Sequence, residues 1–520
     1  MGLATVLGGF LGISHAAQAQ GSYVDDALLL MRQNPSGTAR TLGLGGASTS
    51  LGGDFGSLNT NPAGLGLFTK SELTLTPGLG FGNASSTPVA NAASLGGGVV
   101  KQDANRFHLA SVGLVFATRR PDNDNSSDWR GGGFGLGFTR LADFNQAFRY
   151  QNQTDDRHSY FQYLREPGGN TTPGTTSYNA ALNDLRNQDN SGNYETLDGL
   201  AYGNFLTTII KTRRGNLDSL ATPARVGRIT QDEFVTSKGS LSQFDLGYGG
   251  NYRDKLYIGG GIGIVSLNRT RTSTFSEGSN GGEDFSYQDY VKTTGTGFNA
   301  RIGLIYRVVD AVRLGASIQS PTYIRLTDEY GTTLTSQYTP ANLDNVLSTT
   351  LPPVSYNITT PFRANGGATV LIGKYGFLTG DVEYVGYSNA TYSTDNNGVS
   401  TGLNNANNII AATYRNTINL KAGAEARLGV FRVRGGYARY SSPYAGTSSF
   451  NRDQNYFTGG LGIRTKTFFV DVAGVYLKYQ NRYSPYDLAS GPRSVTNGVS
   501  PVIANDYNRF TTSITGGVLF

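Results

Sequence analysis

Residues 417–429, TINLKAGAEARLG, alternate apolar and polar side chains over eleven positions. A period of two is typical of a β-strand that buries one face. Eleven residues also match the roughly 9–11 that a tilted strand needs to cross a bilayer. After residue 19, no run of the chain approaches the ~18 apolar residues of a membrane-spanning helix. The pattern therefore predicts β-strands. If the mature chain crosses a membrane, it must do so with strands.

The same alternation recurs along the chain and predicts fourteen strands. From the fourth strand onward, turns of two to four residues, such as RDK at 253–255, alternate with long polar loops at 270–290, 328–354, 389–410, 442–452 and 481–506. The predicted strands lie near residues 71–82, 106–118, 132–144, 240–253, 255–269, 291–308, 311–327, 355–372, 376–388, 411–428, 430–441, 453–464, 467–480 and 507–520.

Short turns at one end and long loops at the other are typical of a bacterial outer-membrane barrel. Strands that cross lipid must close on themselves, because open strand edges cannot be satisfied there. Charged residues are only 15% of the chain, against a usual ~25%. We predict an all-β fold, a 14-stranded antiparallel transmembrane β-barrel with an N-terminal hatch (plug) inside the lumen. An even strand count predicts that both termini are periplasmic.

Three regions are predicted along the chain. Residues 1–19 have the short apolar run and the small residues Ala17-Gln18-Ala19 of a signal peptide. Residues 71–520 form the barrel, and its largest extracellular loop is 145–239. Residues 20–70 are rich in glycine and cannot hold regular structure by themselves. Because a barrel of this size is too wide for its own side chains to fill, residues 20–70 are predicted to be the hatch.

Two hatch motifs, ARTLGLGGA at 39–47 and NPAGL at 61–65, resemble the FadL long-chain fatty-acid transporter family, which includes toluene-channel (TodX-like) relatives. SIQSPTY (317–323) and TPFRANGGATVLIG (360–373) extend the resemblance into the barrel. It implies a plugged fourteen-stranded barrel in a Gram-negative outer membrane. In the hatch it points to four gating residues: Asn61, Pro62, Ala63 and Gly64.

The resemblance also implies loop helices that form an apolar groove where ligand is first captured. ETLDGLAYGNFLTTII (195–210) and PANLDNVLST (340–349) are the candidate helices. The candidate ligand-capture residues are Leu197, Leu200, Phe205, Ile209, Leu343, Val346 and Leu347. The alternative, that these side chains only pack loop against loop, remains open.

If the apolar strand faces meet lipid, the polar faces line the lumen. The candidate polar lumen residues are Arg363, Glu383, Lys421, Glu425, Arg432 and Arg434. Their mixed signs favour pairing between neighbouring strands that clamps the hatch. Binding of a ligand's carboxylate head group is the alternative.

Catalytic and metal chemistry have little support in the sequence. The chain has no cysteine and three histidines, His15, His108 and His158, which cannot make a cluster or a triad. The acidic stretch PDNDNSSD (121–128) lacks the glycine and glutamate of a calcium loop. The net charge of +6 is not gathered into a basic block, so nucleic acid is not an expected partner. We predict no enzyme activity, no catalytic residues, no metal and no cofactor.

Two functions remain. The first is passive uptake of hydrophobic small molecules, long-chain fatty acids or aromatic hydrocarbons, through an outer-membrane channel. Its surroundings would be outer-membrane lipid and lipopolysaccharide, and the protein is expected to be a monomer. The second is a docking or shuttle partner of a type IX-like protein secretion system, a role found in a branch of the same family.

Overall fold

The computed structural model describes residues 23–520 except 122, 125, 166–172, 213–216, 224, 280–282, 339–342, 395–400, 447–450 and 489–497. The predicted signal peptide therefore lies outside the described residues. One closed antiparallel sheet dominates the fold, because the last strand pairs with the first along its whole length. Among the helices in these ranges, none is long and apolar enough to cross a membrane.

The strands are β1 (Glu72–Pro88), β2 (Val100–Arg119), β3 (Trp129–Asp143), β4 (Gln146–Thr154), β5 (Thr208–Lys211), β6 (Asp218–Ala221), β7 (Ile229–Tyr252), β8 (Leu256–Ser279), β9 (Glu283–Val309), β10 (Val312–Gln319), β11 (Tyr323–Tyr338), β12 (Leu343–Thr359), β13 (Arg363–Ile372), β14 (Gly376–Val385), β15 (Thr391–Ser393), β16 (Thr417–Leu428), β17 (Phe431–Tyr440), β18 (Gln454–Arg464), β19 (Phe468–Tyr483) and β20 (Ile503–Leu519). The short strands β5 and β6 form a separate hairpin.

The wall of the barrel has fourteen strands, as the sequence predicts. Four of them are interrupted, so that β3 and β4, β10 and β11, β12 and β13, and β14 and β15 continue one another. For example, β9 pairs with β11 along its first half and with β10 along its second half. The predicted fold class is confirmed.

The wall has an apolar outer face. In β1, Leu73, Leu75 and Phe81 are about half exposed. Glu72 and Thr74, which alternate with Leu73 and Leu75, point inward and are buried. Most of the other wall strands likewise have apolar side chains on the outer face and polar ones inside, the reverse of a soluble protein. An outward apolar band with a polar interior is the pattern of a barrel embedded in lipid.

Several predicted boundaries are wrong, and the hydrogen-bonded ladder explains why. The predicted loops 270–290 and 328–354 are largely strand, because β8, β9, β11 and β12 continue well past the bilayer, with β9 reaching 27 residues. These extensions are mostly polar and carry only scattered buried apolar residues, such as Phe275, Phe285 and Leu334, so no sustained apolar alternation reveals them. Likewise β4 and the start of β7 occupy both ends of the predicted loop 145–239.

The helices are α1 (23–31), α2 (Ala39–Gly43), α3 (Ser57–Thr60), a 3-10 helix (Pro62–Leu67), α4 (Tyr160–Leu164), α5 (Thr176–Ser191), α6 (Leu197–Gly203), a 3-10 turn (Tyr387–Asn389) and α7 (Thr401–Thr413). The first four lie inside the barrel. The end of α7 replaces the strand start predicted at 411. The predicted helix at 340–349 is also wrong, because β12 begins at Leu343 and is paired with β11.

Candidate functional site

Residues 23–68, which we call the hatch, fold inside the barrel around two side-chain caps. Thr38 caps α2 by accepting a hydrogen bond from the Thr41 amide. Asp54 holds the same turn, because it accepts from the Thr38 hydroxyl at 2.9 Å and the Thr41 hydroxyl at 3.0 Å. These bonds satisfy backbone and hydroxyl groups that the lumen shields from bulk water.

Asn61 joins the hatch to the wall. Its Oδ1 accepts a bond from the Ala63 amide at 3.1 Å, which caps the 3-10 helix that begins at Pro62. Its Nδ2 donates to the Thr49 carbonyl at 2.7 Å and to the Leu304 carbonyl of β9 at 3.1 Å. The side chain is fully buried. One amide therefore ties together two parts of the hatch and one wall strand.

Inward-facing glycines let the hatch touch the wall. A Cβ at Gly249 would lie 2.5 Å from the Pro62 carbonyl oxygen, and one at Gly423 would lie 2.7 Å from the Leu44 carbonyl oxygen. Contacts this close exclude any larger residue unless the hatch moves. The glycines in such contact with the hatch are Gly113, Gly133, Gly137, Gly247, Gly249, Gly259, Gly303, Gly315, Gly423 and Gly436. They span strands from β2 to β17, so the hatch is fitted to most of the barrel circumference.

Buried ion pairs hold the hatch against the C-terminal strands of the barrel. Arg434 pairs with Glu425 at 2.8 Å and with Asp471 at 2.6 Å. Arg40 of the hatch approaches the same Glu425 at 3.6 Å. Because these groups are buried, removing one partner would leave an uncompensated charge, which is strongly destabilising.

A second buried group sits higher in the lumen. Glu383 pairs with Arg363 at 2.9 Å and with Lys421 at 3.2 Å. Arg363 also donates to the carbonyl of Met31 at the end of α1. This triad therefore ties β13, β14 and β16 to the hatch.

Above these anchors, α1 fills an apolar chamber. Its Val24, Ala27, Leu28 and Met31 are buried there. The wall and loop residues of the chamber are Leu141, Phe144, Leu241, Val265, Leu267, Ile324, Leu326, Tyr356, Ile358, Val385, Tyr392, Leu403, Ile410 and Tyr414. The chamber was missed from sequence, because its members come from α1, α7 and the inner faces of several strands. The one local signal was the apolar run ALLLM at 27–31.

An acidic pair, Asp25 and Asp26, lies near the start of α1. Desolvation within the lumen, and then the charge of the neighbouring Asp26, raise the pKa of Asp25 to about 6. Asp26 is paired with Arg269 of β8 at 2.6 Å. Asp25 therefore holds its proton up to a higher pH than a free aspartate does while α1 occupies the chamber.

The backbone ladder of the wall is interrupted between β2 and β4. β2 pairs with β1 from Val100 to Val115, but it pairs with β3 only from Ser111 to Arg119. The second half of this wall strand, β4, pairs with β7 and not with β2. We call the unpaired stretch, between 100–110 and 143–152, the lateral gap.

The lateral gap arises because the β3–β4 strand turns inward. β3 has a bulge between Arg140 and Ala142, and bulges bend a strand and re-aim its side chains. Phe148 and Tyr150 of β4 then pack inside the barrel against Ala84 of β1 and Tyr507 of β20. An unpaired edge at membrane depth is unfavourable unless it borders a cavity or another part of the protein, so the lateral gap is a functional candidate.

Side chains close the lateral gap. Arg106 of β2 pairs with Asp143 of β3 at 2.6 Å. Arg140 donates to the Leu109 carbonyl at 3.2 Å, and Arg509 of β20 donates to the Asn145 carbonyl at 2.9 Å. These contacts are made by side chains, which can rotate. Elsewhere in the wall, neighbouring strands are joined by a continuous ladder of backbone hydrogen bonds.

A cavity of about 80 Å³ lies behind the lateral gap, against the hatch. We call it the gap cavity. Its polar lining includes His108, Arg140, Asp143 and Arg509. Its apolar lining includes Leu42, Ala110, Leu141, Val475 and Leu477. Leu141 also belongs to the chamber, so the gap cavity and the chamber are neighbours.

A larger cavity of about 610 Å³ lies at the loop end of the wall. It is lined by polar groups such as Gln151, Asp232, Ser276 and Gln337 and by Gly97 and Gly98. None of its lining residues belongs to the hatch, and most of its lining side chains are polar. The gap cavity and the chamber are therefore the better candidate site.

Comparison with known proteins supports the architecture. No protein-family model and no curated protein sequence matches the chain. Among solved structures, the P. putida toluene transporter TodX aligns with a TM-score of 0.50 at 11% identity, over 94% of this chain and 99% of that chain. A Pseudomonas aeruginosa FadL homologue aligns with a TM-score of 0.50 at 14% identity, over 93% of this chain and 98% of that chain.

The chain has the FadL-type fold. The resemblance predicted from the hatch and barrel motifs is thus confirmed at the level of the fold. In this FadL-type barrel, the four predicted gating residues lie together: Pro62, Ala63 and Gly64 are buried beside Asn61. The geometry brings them against β7, β8 and β9.

The predicted ligand-capture residues are not brought into one groove. Leu197 and Leu200 are buried in an aromatic cluster with Tyr160, Phe161 and Phe285. Phe205 is 68% exposed and Val346 is 59% exposed. Leu347 packs against the same cluster as Leu200, and Ile209 packs against a different one. The side chain of Leu343 lies outside the described residues.

Five of the six predicted polar lumen residues lie in the two buried charge groups described above. Arg432 does not: it donates to the Gly429 and Phe431 carbonyls at a short turn. No cluster of potential metal ligands occurs among the described residues.

Proposed function

We propose that this protein is an outer-membrane channel for passive uptake of hydrophobic small molecules, with both termini periplasmic. The lateral gap is the observation that carries the proposal. A ligand that enters from the loop end meets the hatch, whose helix α1 fills the chamber, whereas the gap leads sideways towards the membrane. The FadL homologue and the toluene transporter, which share the fold, support a hydrophobic ligand such as a long-chain fatty acid or an aromatic hydrocarbon.

The axial route is blocked by the hatch. Its glycine contacts and buried ion pairs fit it to the barrel wall on most sides. Movement of the segment Asn61–Gly64 would loosen this fit, which is the gating role that we assign to it. The side route needs only the rearrangement of Arg106, Arg140 and Arg509 side chains.

In this proposal, only some of the predicted ligand-capture residues contact the ligand. Phe205 and Val346 are exposed enough to meet a ligand, whereas Leu197 and Leu200 stabilise the loops from within. No observation in the described residues favours the secretion-docking alternative.

The test is to block the lateral gap. Ala110 lines the gap cavity and is buried, so Ala110→Trp should fill it. Cells that make this variant should take up labelled laurate or toluene several-fold more slowly than cells with the unchanged protein. Ala316→Trp makes the same change on an exposed, outward-facing position of β10 and should leave uptake unchanged.

Equal uptake by both variants would exclude the lateral route. Equal uptake by cells with and without the protein, for both ligands, would exclude the channel itself. Heat-modifiable migration on gels would show that each variant has formed its barrel.

A further inference from the structure

The larger cavity, of about 610 Å³ at the loop end of the wall, takes no part in the proposed channel. We call it the outer cavity. Its floor consists of two rows of residues that run side by side across five neighbouring strands, from β4 to β11. The first row is Gln151, Asp232, Ser276, Ser286 and Thr335, and the second row is Gln153, Thr230, Gly278, Asp284 and Gln337.

The floor of the outer cavity faces away from the lumen. Successive residues of a strand point to opposite faces of the sheet, and residues such as Gln231, Glu277 and Phe285 alternate with the floor positions. These three residues are buried, and Phe285 packs in the aromatic cluster with Tyr160. The floor side chains therefore lie on the outer surface of the wall. The packed inner face holds them in place, which reduces the ordering that binding would require.

The outer cavity lies far above the lipid-facing band. Phe244, Ile264 and Phe298 form an exposed apolar row across β7, β8 and β9. At about 3.3 Å per residue and a strand tilt of about 40°, Ser276 of β8 stands about 30 Å above Ile264. The head-group layer of a bilayer extends only about 5–8 Å beyond the hydrocarbon. The outer cavity is therefore beyond the reach of lipid head groups.

The loop between β1 and β2 forms a side wall of the outer cavity. The Gln153 amide donates to the Gly96 carbonyl at 2.8 Å, and the Leu95 amide donates to the Gln153 carbonyl at 2.7 Å. The next residue, Gly97, has a φ of 153°, and a Cβ there would lie 2.4 Å from the Gln151 carbonyl oxygen. Only glycine permits this approach. Gly97 and Gly98 then line the outer cavity, so a loop encloses one side of the sheet face.

The lining of the outer cavity is polar, and its charges are balanced. The floor has two carboxylates, Asp232 and Asp284. Arg149 pairs with Asp232 at 2.9 Å, and Arg228 reaches the floor, where it donates to Gln153 Oε1 at 2.8 Å. The other polar side chains of the floor are amides and hydroxyls, which both donate and accept hydrogen bonds. An anionic ligand meets no excess of positive charge, and an apolar ligand would leave these groups unpaired.

A chain of neutral sugars matches this lining. Each sugar hydroxyl both donates and accepts, as the floor amides and hydroxyls do. The volume of about 610 Å³ is within the usual range of about 300–1,000 Å³ for small-molecule sites. Phe234, on the same outward face of β7 as Asp232, is 36% exposed and presents an aromatic ring to the apolar side of a sugar.

We propose that the outer cavity binds neutral hexose units of the lipopolysaccharide that surrounds the barrel. Its height above the lipid-facing band selects sugars over lipid head groups, and its balanced charge selects neutral sugars over phosphate. This inference goes beyond the channel function, because it concerns how the loop end is held in the saccharide layer. It shares with that function only the outer-membrane location.

The test measures binding of lipopolysaccharide to the full-length protein by surface plasmon resonance. The detergent has polyoxyethylene head groups, because sugar detergents would compete for the site. Two lipopolysaccharides are compared that share lipid A and the acidic inner sugars, and only one of them carries neutral hexoses beyond these. The hexose-bearing form should bind at least about tenfold more tightly, because it adds several hydrogen bonds. The hexose oligosaccharide, released from lipid A, should displace it.

Variants locate the site. Ser286→Trp places a large side chain in the middle of the floor and should reduce the affinity for the hexose-bearing form to that for the truncated form. Asp232→Ala removes an acceptor and should weaken binding of the hexose-bearing form several-fold. Ser355→Trp is the matched control, because Ser355 is exposed on the outward face of β12, nearer to the lipid-facing band. It should leave the ratio of the two affinities unchanged.

Three results would overturn the proposal: equal affinities for the two lipopolysaccharides, normal binding by Ser286→Trp, or displacement by inorganic pyrophosphate but not by the hexose oligosaccharide. If Ser286→Trp fails to form a heat-modifiable barrel, Asp232→Ala and the displacement experiment decide.

Uptake separates this proposal from the channel. Ser286→Trp should take up labelled laurate or toluene at the unchanged rate, because none of the lining residues of the outer cavity belongs to the hatch. Hexose-dependent binding without any uptake would refute the channel and leave the sugar site standing. Uptake without hexose-dependent binding would refute the sugar site alone.

Discussion

Replacing Asn61 by alanine should release the hatch without unfolding the barrel. The wall strands close among themselves through their own backbone ladder, whereas Asn61 joins hatch to wall through one side chain. The substitution removes three hydrogen bonds: those donated to Thr49 and Leu304 and the one accepted from Ala63.

The expected magnitude follows from these three bonds. At about 1 kcal/mol of net stability each, the docked hatch loses about 3 kcal/mol. A difference of about 1.4 kcal/mol is a factor of ten in an equilibrium, so undocking should become about a hundredfold more frequent. Gly303→Ala should act by a different route to the same end, because a Cβ there would lie 2.8 Å from Asn61 Cγ.

Permeability to small hydrophilic solutes is the assay. Liposome swelling with a small sugar should be faster for Asn61→Ala and Gly303→Ala than for the unchanged protein. Gly435→Ala is the matched control, because a Cβ at Gly435 meets nothing within 4 Å. The reasoning is refuted if both variants swell at the unchanged rate while remaining folded, or if either loses heat-modifiable migration, which would make Asn61 part of the barrel's folding core.

Three further predictions concern the hatch and the lumen. Deleting residues 20–70 should leave a heat-modifiable barrel that is leaky to hydrophilic solutes, since a wide polar lumen loses its filling; loss of the barrel or unchanged permeability would contradict this. Glu383→Gln leaves Arg363 and Lys421 without their shared carboxylate and should lower the free energy of unfolding by about 3–5 kcal/mol, seen as a lower melting temperature. Lys292→Gln, at an exposed pair with Glu329, is the control and should lower it by no more than about 1 kcal/mol. The packing of α1 should weaken as the pH rises from about 4 to 6, because the docked helix holds Asp25 at a raised pKa of about 6 against about 3.9 for a free aspartate. Maleimide labelling of an Ala27→Cys variant, normalised to free cysteine, should therefore increase over that range, and Asp25→Asn should remove the increase.

The lipid-facing pattern and the strand number could be predicted because they are local properties. Successive side chains of a strand point to opposite faces, so the alternation of Leu73 and Thr74, or of Ile418 and Asn419, already decides which face meets lipid. The gating motif was also visible, because Pro62 restricts the backbone and Asn61 is a favourable cap wherever such a turn occurs.

The strand extensions and the apolar loop residues were harder to predict. Residues of β8 beyond Leu267 are mostly polar, with Phe275 the buried aromatic among them, so their pairing with β7 and β9 is what shows that they remain in the sheet. Leu200 and Phe205 are both apolar and close in sequence, yet one is buried among aromatic side chains and the other is exposed. Their surroundings come from other parts of the chain.

By itself, the sequence determined that this chain makes a closed barrel of fourteen strands with a glycine-rich segment left over to fill it. Only the tertiary structure decided where the backbone ladder of that barrel is interrupted and which side chains lie across the interruption. His108, Arg140 and Arg509 lie on three different strands, and an inward bend of one wall strand brings them to the same cavity. The alternation of apolar and polar side chains depends only on neighbours along the chain. The gap and the charges around it depend on how strands that are distant in sequence come together when the sheet closes.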